Sequence, residues 1–72
     1  MIKIRYSYHA GERLRERNIS KSEVEEAIHL GVKEDAGDYS RKVRHRNENG
    51  ILVVIYNIKD SEEVEIITAY QE

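Results

Sequence analysis

Asn49-Gly50 narrows the fold more than any other position in the chain, because this dipeptide between two strand-like runs is the strongest short-range signal for a β-hairpin. Before it, Tyr39, Arg41, Val43 and His45 alternate with Ser40, Lys42, Arg44 and Arg46, the period of two that sends successive side chains to opposite faces of a strand. After it, Ile51 to Ile58 is apolar enough for a strand buried in the middle of a sheet. A two-residue type I′ loop at Asn49-Gly50 predicts a register in which Arg46 faces Val53 and Arg44 faces Ile55. Asp60-Ser61 turns the chain again. Val64, Ile66, Thr68 and Tyr70 then alternate with Glu63, Glu65, Ile67 and Ala69 as a last strand, with the first set expected on one face.

The N-terminal half reads differently. Ile2, Ile4 and Tyr6 alternate with Lys3 and Arg5 as a short strand, and Ser7 can cap a helix running to about Arg17 with Ala10 and Leu14 as its apolar contacts. Gly11 weakens that helix by roughly 1 kcal/mol relative to alanine, so a close approach of another backbone is its expected role. Ser20 and Glu23 make a capping box, with Ile19 and Val24 as a hydrophobic staple, for a second helix from Lys21 to near Leu30. Gly31 stands where a left-handed C-terminal residue is wanted. Val32–Asp35 follows as a short strand and Ala36-Gly37-Asp38 as a turn. The expected architecture is a single α+β domain over residues 1–72: a short N-terminal strand and two helices packed on an antiparallel sheet of about four strands. The other sheet face is left free for a ligand.

At 72 residues such a domain is near the size below which one hydrophobic core struggles to offset conformational entropy. No cysteine is present to form disulfides, and His9, His29 and His45 lack the paired spacing of a zinc site, so no metal or cofactor is expected. Help would come from a homodimer or a partner chain. The longest apolar run is far too short to span a bilayer and the N-terminus has no signal-peptide pattern, so the expectation is a soluble, cytoplasmic protein without a membrane partner.

The net charge of −2 conceals an asymmetry. Residues 1–17 carry five basic and two acidic groups and residues 39–46 carry four basic and none acidic, while the remaining two stretches are strongly acidic. His9, Arg13 and Arg17 recur every four residues and form one stripe on a helix. Arg44 and Arg46 share a strand face with Lys42. If the two cationic rows meet in space, they make a phosphate-binding surface with a titratable ring beside it.

The stretch His9-Ala10-x-x-Arg13-x-x-x-Arg17-x-Ile19-Ser20-x-x-Glu23-Val24, with the terminal Ile66-Ile67-Thr68-Ala69-Tyr70, resembles a family of small prokaryotic proteins related to the RelE, ParE and BrnT type toxins. The resemblance spans nearly the whole chain. It implies two N-terminal helices on a curved antiparallel sheet, and a ribonuclease scaffold in which basic residues cradle a phosphodiester while the neighbouring 2′-hydroxyl attacks it. RNA and an antitoxin-like protein are the partners it implies. The chain departs from the pattern in lacking the strongly basic total charge of ribosome-dependent members.

Attack by a 2′-hydroxyl needs a base, cations for the charge building on the phosphate and a proton donor for the departing 5′-oxygen. His9 is the candidate base, with His45 as its rival, and a packed helix histidine is the competing account of His9. Arg13 and Arg17 can clamp a phosphate or pair locally with Glu12 and Glu16. Arg44 and Arg46 can bind phosphate or protect an edge strand. Thr68 can orient a phosphate or serve only as a strand residue. Tyr70 can donate the proton, stack a base or pack in the core. The alternative function is a non-catalytic module that pairs with itself or an antitoxin-like chain.

Overall fold

The computed structural model describes residues 2–35, 37 and 40–72. Its elements are β1 (Lys3–Tyr6), α1 (Tyr8–Glu16), α2 (Lys21–Leu30), β2 (Val32–Asp35), β3 (Ser40–Asn47), β4 (Gly50–Asp60) and β5 (Glu63–Gln71). They form one five-stranded sheet in the order β1-β5-β4-β3-β2. The α+β expectation holds, but the sheet has five strands rather than about four and is mixed rather than antiparallel. β2 is a full member paired to β3, and β1 lies parallel to β5. A parallel pair needs a crossover of a dozen or more residues, and the chain between β1 and β5 far exceeds that. Of the expected Ala36-Gly37-Asp38 turn and Tyr39 strand start, only Gly37 lies within the described residues.

Both helix starts are held as their sequences demand. Ser7 Oγ accepts from the Ala10 amide at 3.0 Å to open α1. In the capping box of α2, Ser20 Oγ accepts from the Glu23 amide at 3.1 Å and Glu23 Oε1 accepts from the Ser20 amide at 3.0 Å. α1 ends where expected, with Arg17 as its C-cap, whereas the end of α2 departs from expectation. Asn18, at φ 55°, is the left-handed residue that closes α1, with the Ile19 amide donating back to the Leu14 carbonyl and the Asn18 amide to that of Arg15. That is a Schellman ending, and its two apolar members, Leu14 and Ile19, are both buried. Gly31 has φ −78° and leads straight into β2 rather than taking the left-handed form. It is required for space: a Cβ there would lie 2.5 Å from Val43 Cγ2, 2.6 Å from the Ala27 carbonyl oxygen and 2.7 Å from that of Arg44. Gly11 has nothing within 4 Å of such a Cβ among the described residues, where the close approach expected of it is therefore not found.

The β3–β4 loop has the expected two residues but lies one residue earlier than the type I′ reading. Asn47 pairs with Gly50, so the loop is Glu48-Asn49, and Arg44 faces Val53 and Arg46 faces Ile51. A type I′ turn needs positive φ at both central residues. Asn18 is the only non-glycine with positive φ among the described residues, and Gly50 instead takes φ +119° at the end of the loop. Asn47 Oδ1 accepts from the Asn49 amide at 2.9 Å and draws the turn back by one residue. The shift moves β4 by two residues against β3, so every side chain keeps its face.

Both helices cover one face of the sheet. Ala10, Leu14, Ile19, Val24, Ala27 and Ile28 meet Val43, Leu52, Val54, Tyr56, Val64, Ile66 and Ala69 in a single core cluster, with Ile4 and Tyr6 against it. This set contains Ala69 and omits Thr68 and Tyr70, which corrects the expected alternation along the last strand. The cause is a β-bulge: Tyr56 pairs with Ile66 but Ile55 pairs with Thr68, leaving Ile67 as an extra residue. Beyond it the inward and outward sets exchange, and Thr68 and Tyr70 emerge on the uncovered face. No helix among the described residues is long and apolar enough to cross a membrane.

Candidate nucleic-acid interface

Val43 enters the core, so its strand neighbours Lys42, Arg44 and Arg46 project from the uncovered face. The ladder sets them in rows. Arg44, Val53 and Tyr70 are consecutive partners across β3, β4 and β5; Lys42, Ile55 and Thr68 form the next row; Arg46 faces Ile51 at the hairpin end. Val53 is fully buried yet lies outside the helix-side cluster, flanked in register by Arg44 and Tyr70. The uncovered face therefore has a small apolar floor of Ile51, Val53 and Ile55, with cations along one side and a tyrosine on the other.

The cations are not equally free. Arg44 donates from Nε to Glu34 Oε2 at 3.4 Å and from Nη1 to Glu72 Oε1 at 2.5 Å. The Glu72 bond, followed by the other charge contacts, lifts its already high pKa further. Lys42 and Arg46 have no ion pair among the described residues. At the opposite corner, Glu63 is matched by Arg5 at 3.0 Å and Glu65 by Lys59 at 3.2 Å, so β5's carboxylates there are compensated locally. Among the described residues, the cations of this face without an ion pair are Lys42 and Arg46 on β3 and Lys3 on the outer strand β1.

The stripe on α1 splits in two. Each four-residue step advances about 40° around a helix of 3.6 residues per turn, so the row rotates as it descends. Arg17, at its end, comes round to the sheet and donates to the Ala69 carbonyl at 2.8 Å and to Thr68 Oγ1 at 3.4 Å. It caps the edge of β5 past Ile66, where the pairing with β1 stops. Arg13 pairs with Glu16 at 3.5 Å, the local reading of that residue. His9 is exposed, with its ring edge-on to Tyr8 at a centroid distance of 6.0 Å. Among the described residues no hydrogen bond or ion pair joins His9 or Arg13 to Arg44, Arg46, Thr68 or Tyr70. His45 turns to the helix side, where its Nε2 lies 3.0 Å from Glu26 Oε1.

The structure thus gathers Arg44, Arg46, Thr68 and Tyr70 on one face, attaches Arg17 to its edge through Thr68, and leaves His9 and Arg13 on α1. Sequence reasoning did not name Lys42 as a site residue, although its strand parity already placed it with Arg44. Glu34 and Glu72, which hold Arg44, carry no sequence signal for that role, because both approach through tertiary pairing. A concavity of about 390 Å³ lies elsewhere, lined by Glu23, Glu26, Asn47, Glu48 and Asn49. Its three carboxylates make it unsuited to a phosphate. No cluster of three or more metal-ligating side chains exists among the described residues.

These features define a small α+β protein with a one-sided sheet, helix-covered on one face and carrying a cationic strand on the other. Residues 6–71 match a family described as a domain of unknown function, DUF4258, and the chain belongs to that family. No curated protein and no solved structure matches it.

Proposed function

We propose that the uncovered sheet face binds single-stranded RNA, with Lys42, Arg44 and Arg46 along the phosphates and Tyr70 against a base. The observation that carries this reading is the row Arg44–Val53–Tyr70, which sets a guanidinium and an aromatic ring on either side of an apolar floor. Cations two residues apart on a strand follow one another at about 6.6–6.8 Å, a ladder suited to an extended charged backbone. A tyrosine beside it can take an unpaired base, whereas the bases of a duplex are stacked away from such a surface. Two helices packed on one sheet face are compatible with many activities, so the reading rests on the residues of the uncovered face and not on the fold.

The reading is binding rather than histidine-catalysed cleavage. All three histidines lie off this face: His9 on α1, His29 on α2, and His45 toward Glu26. Tyr70 can donate a proton, but no histidine shares its face. Titration of a short fluorescein-labelled single-stranded RNA tests the proposal. Three engaged phosphates give a log-affinity slope of about −2 against log salt, and Tyr70→Ala weakens binding by about 1–3 kcal/mol. Affinity indifferent to salt, or unchanged in both Tyr70→Ala and Arg46→Glu, rejects it. The same RNA, recovered after incubation, is expected intact.

A second reading, pairing with an antitoxin-like chain or another copy, is favoured by one observation. Leu30 and Val32 are 69% and 71% exposed beside the outer edge strand β2. A sedimentation profile unaltered by Val32→Glu over a wide concentration range counts against the self-pairing form.

A further inference from the structure

We infer that Glu72 is an internal competitor for the anion site, holding Arg44 in the place a phosphate would occupy and so reserving the face for ligands with several consecutive phosphates. The inference rests on the RNA-binding reading of the uncovered face and adds a specificity element to it.

The geometry is particular. Glu72 extends the β5 strand past Gln71, and its amide donates to the Ile51 carbonyl at 2.7 Å, so its backbone is fixed on the hairpin end of β4. Gly50 permits that approach: a Cβ there would sit 2.7 Å from the Glu72 carbonyl oxygen, and its φ of +119° already disfavours a side chain. From this anchor the Glu72 carboxylate reaches across the face to Arg44 Nη1, while Glu34 takes Nε. Each carboxylate takes one donor from a different paired edge of the guanidinium, so both edges that a phosphate would engage with paired bonds are partly occupied. Arg44 is therefore satisfied without ligand, whereas Lys42 and Arg46 on either side of it carry no ion pair among the described residues. A lone phosphate must displace Glu72 for a single guanidinium contact. A strand seated on Lys42 and Arg46 at once places its middle phosphate over Arg44 and competes with Glu72 at high local concentration. Both side chains of the Arg44–Glu72 pair are about two-fifths exposed, at 36% and 40%, so the latch is weak enough to be opened in this way.

The test compares wild type with Glu72→Gln, with Glu62→Gln as an equal change of charge at a distant turn, and with both Glu72→Gln and its parent in an Arg44→Ala background. Each variant is first checked for native circular dichroism. The probes are the labelled single-stranded RNA and inorganic phosphate. Glu72→Gln is expected to tighten RNA binding roughly threefold, the range of an exposed ion pair, and to tighten phosphate binding by at least as much. Glu62→Gln gives less. In the Arg44→Ala background the gain vanishes, because the two residues act as one coupled pair. An equal gain from Glu62→Gln, or a gain that survives without Arg44, reduces the effect to net charge and overturns the inference while leaving the RNA-binding face intact. No RNA binding by either wild type or Glu72→Gln overturns both.

Discussion

The two faces of the sheet are built from the same strands but solve opposite problems. On the helix side, β4 and β5 present Leu52, Val54, Ile66 and Ala69, all fully buried, against Ala10, Val24 and Ala27 from the helices. On the other side the same two strands present Ile51, Val53, Ile55, Thr68 and Tyr70, which no element covers. Only Val53 among them is fully buried. The first face contributes stability through apolar area removed from water. The second shields a single row of apolar residues with side chains that keep polar ends in solvent, an arrangement that costs some of that stability and leaves chemical groups available. The bulge at Ile67 is what lets one strand serve both, since it changes the inward set from Val64 and Ile66 to Ala69 partway along β5.

The contrast predicts that stability and binding separate by face. The largest expected effect is Leu52→Ala, which empties a fully buried position on the helix side and should cost about 2–5 kcal/mol in urea unfolding; Arg46→Ala, on the other face, should stay within about 0.5 kcal/mol. Gly31→Ala comes next, at about 1–3 kcal/mol, because the added methyl meets Val43 and two backbone carbonyls with little room to relax. Loss of the Arg17 contacts with Ala69 and Thr68 in Arg17→Ala should cost about 1 kcal/mol, read as a lower unfolding midpoint together with faster amide exchange along the exposed edge of β5.

A smaller effect concerns pH. Burial, followed by the Glu25 charge, raises Tyr6 from 10.0 to about 12. Between those values the unfolded chain has lost the phenolic proton and the folded chain has kept it, so the unfolded state binds fewer protons and stability falls as pH rises. Thermal unfolding followed across that window should show the decline, and Tyr6→Phe should flatten it. Tyr56, also raised by burial with Arg41 acting against the shift, should leave a residual slope. At neutral pH Tyr6→Phe should be neutral or slightly stabilising, because the Tyr6 hydroxyl is buried without a hydrogen-bond partner among the described residues. The smallest expected change is none: His9→Ala and Arg13→Ala should leave RNA affinity within twofold of wild type, and a large loss in either would move the binding site onto α1.

Much of the architecture is legible in the amino-acid sequence. The capping box at Ser20 and Glu23, the start of α1 at Ser7 and the strands on either side of Asn49-Gly50 all follow from local chemistry, and local chemistry is what a sequence states directly. The misreadings came where a distant segment intervened. Gly31 looks like a helix-ending glycine until Val43 and the Arg44 carbonyl are seen packed against it. Asn49-Gly50 looks like a type I′ loop until Asn47 bonds the Asn49 amide and the loop falls one residue earlier, on Glu48-Asn49. The candidate site was half legible for the same reason: parity along β3 gave one face to Lys42, Arg44 and Arg46, but nothing local placed Tyr70 beside them.

What the amino-acid order determined by itself is the set of elements, their caps, and which residues of β3 share a side, because periodicity and hydrogen-bonding side chains act within a few residues. The tertiary structure alone decided the parallel docking of β1, the bulge that turns Thr68 and Tyr70 outward, and the pairing of Arg44 with Glu34 and Glu72. Each depends on how one strand fits against another far away in the chain, where packing volume and ladder geometry outweigh any local preference.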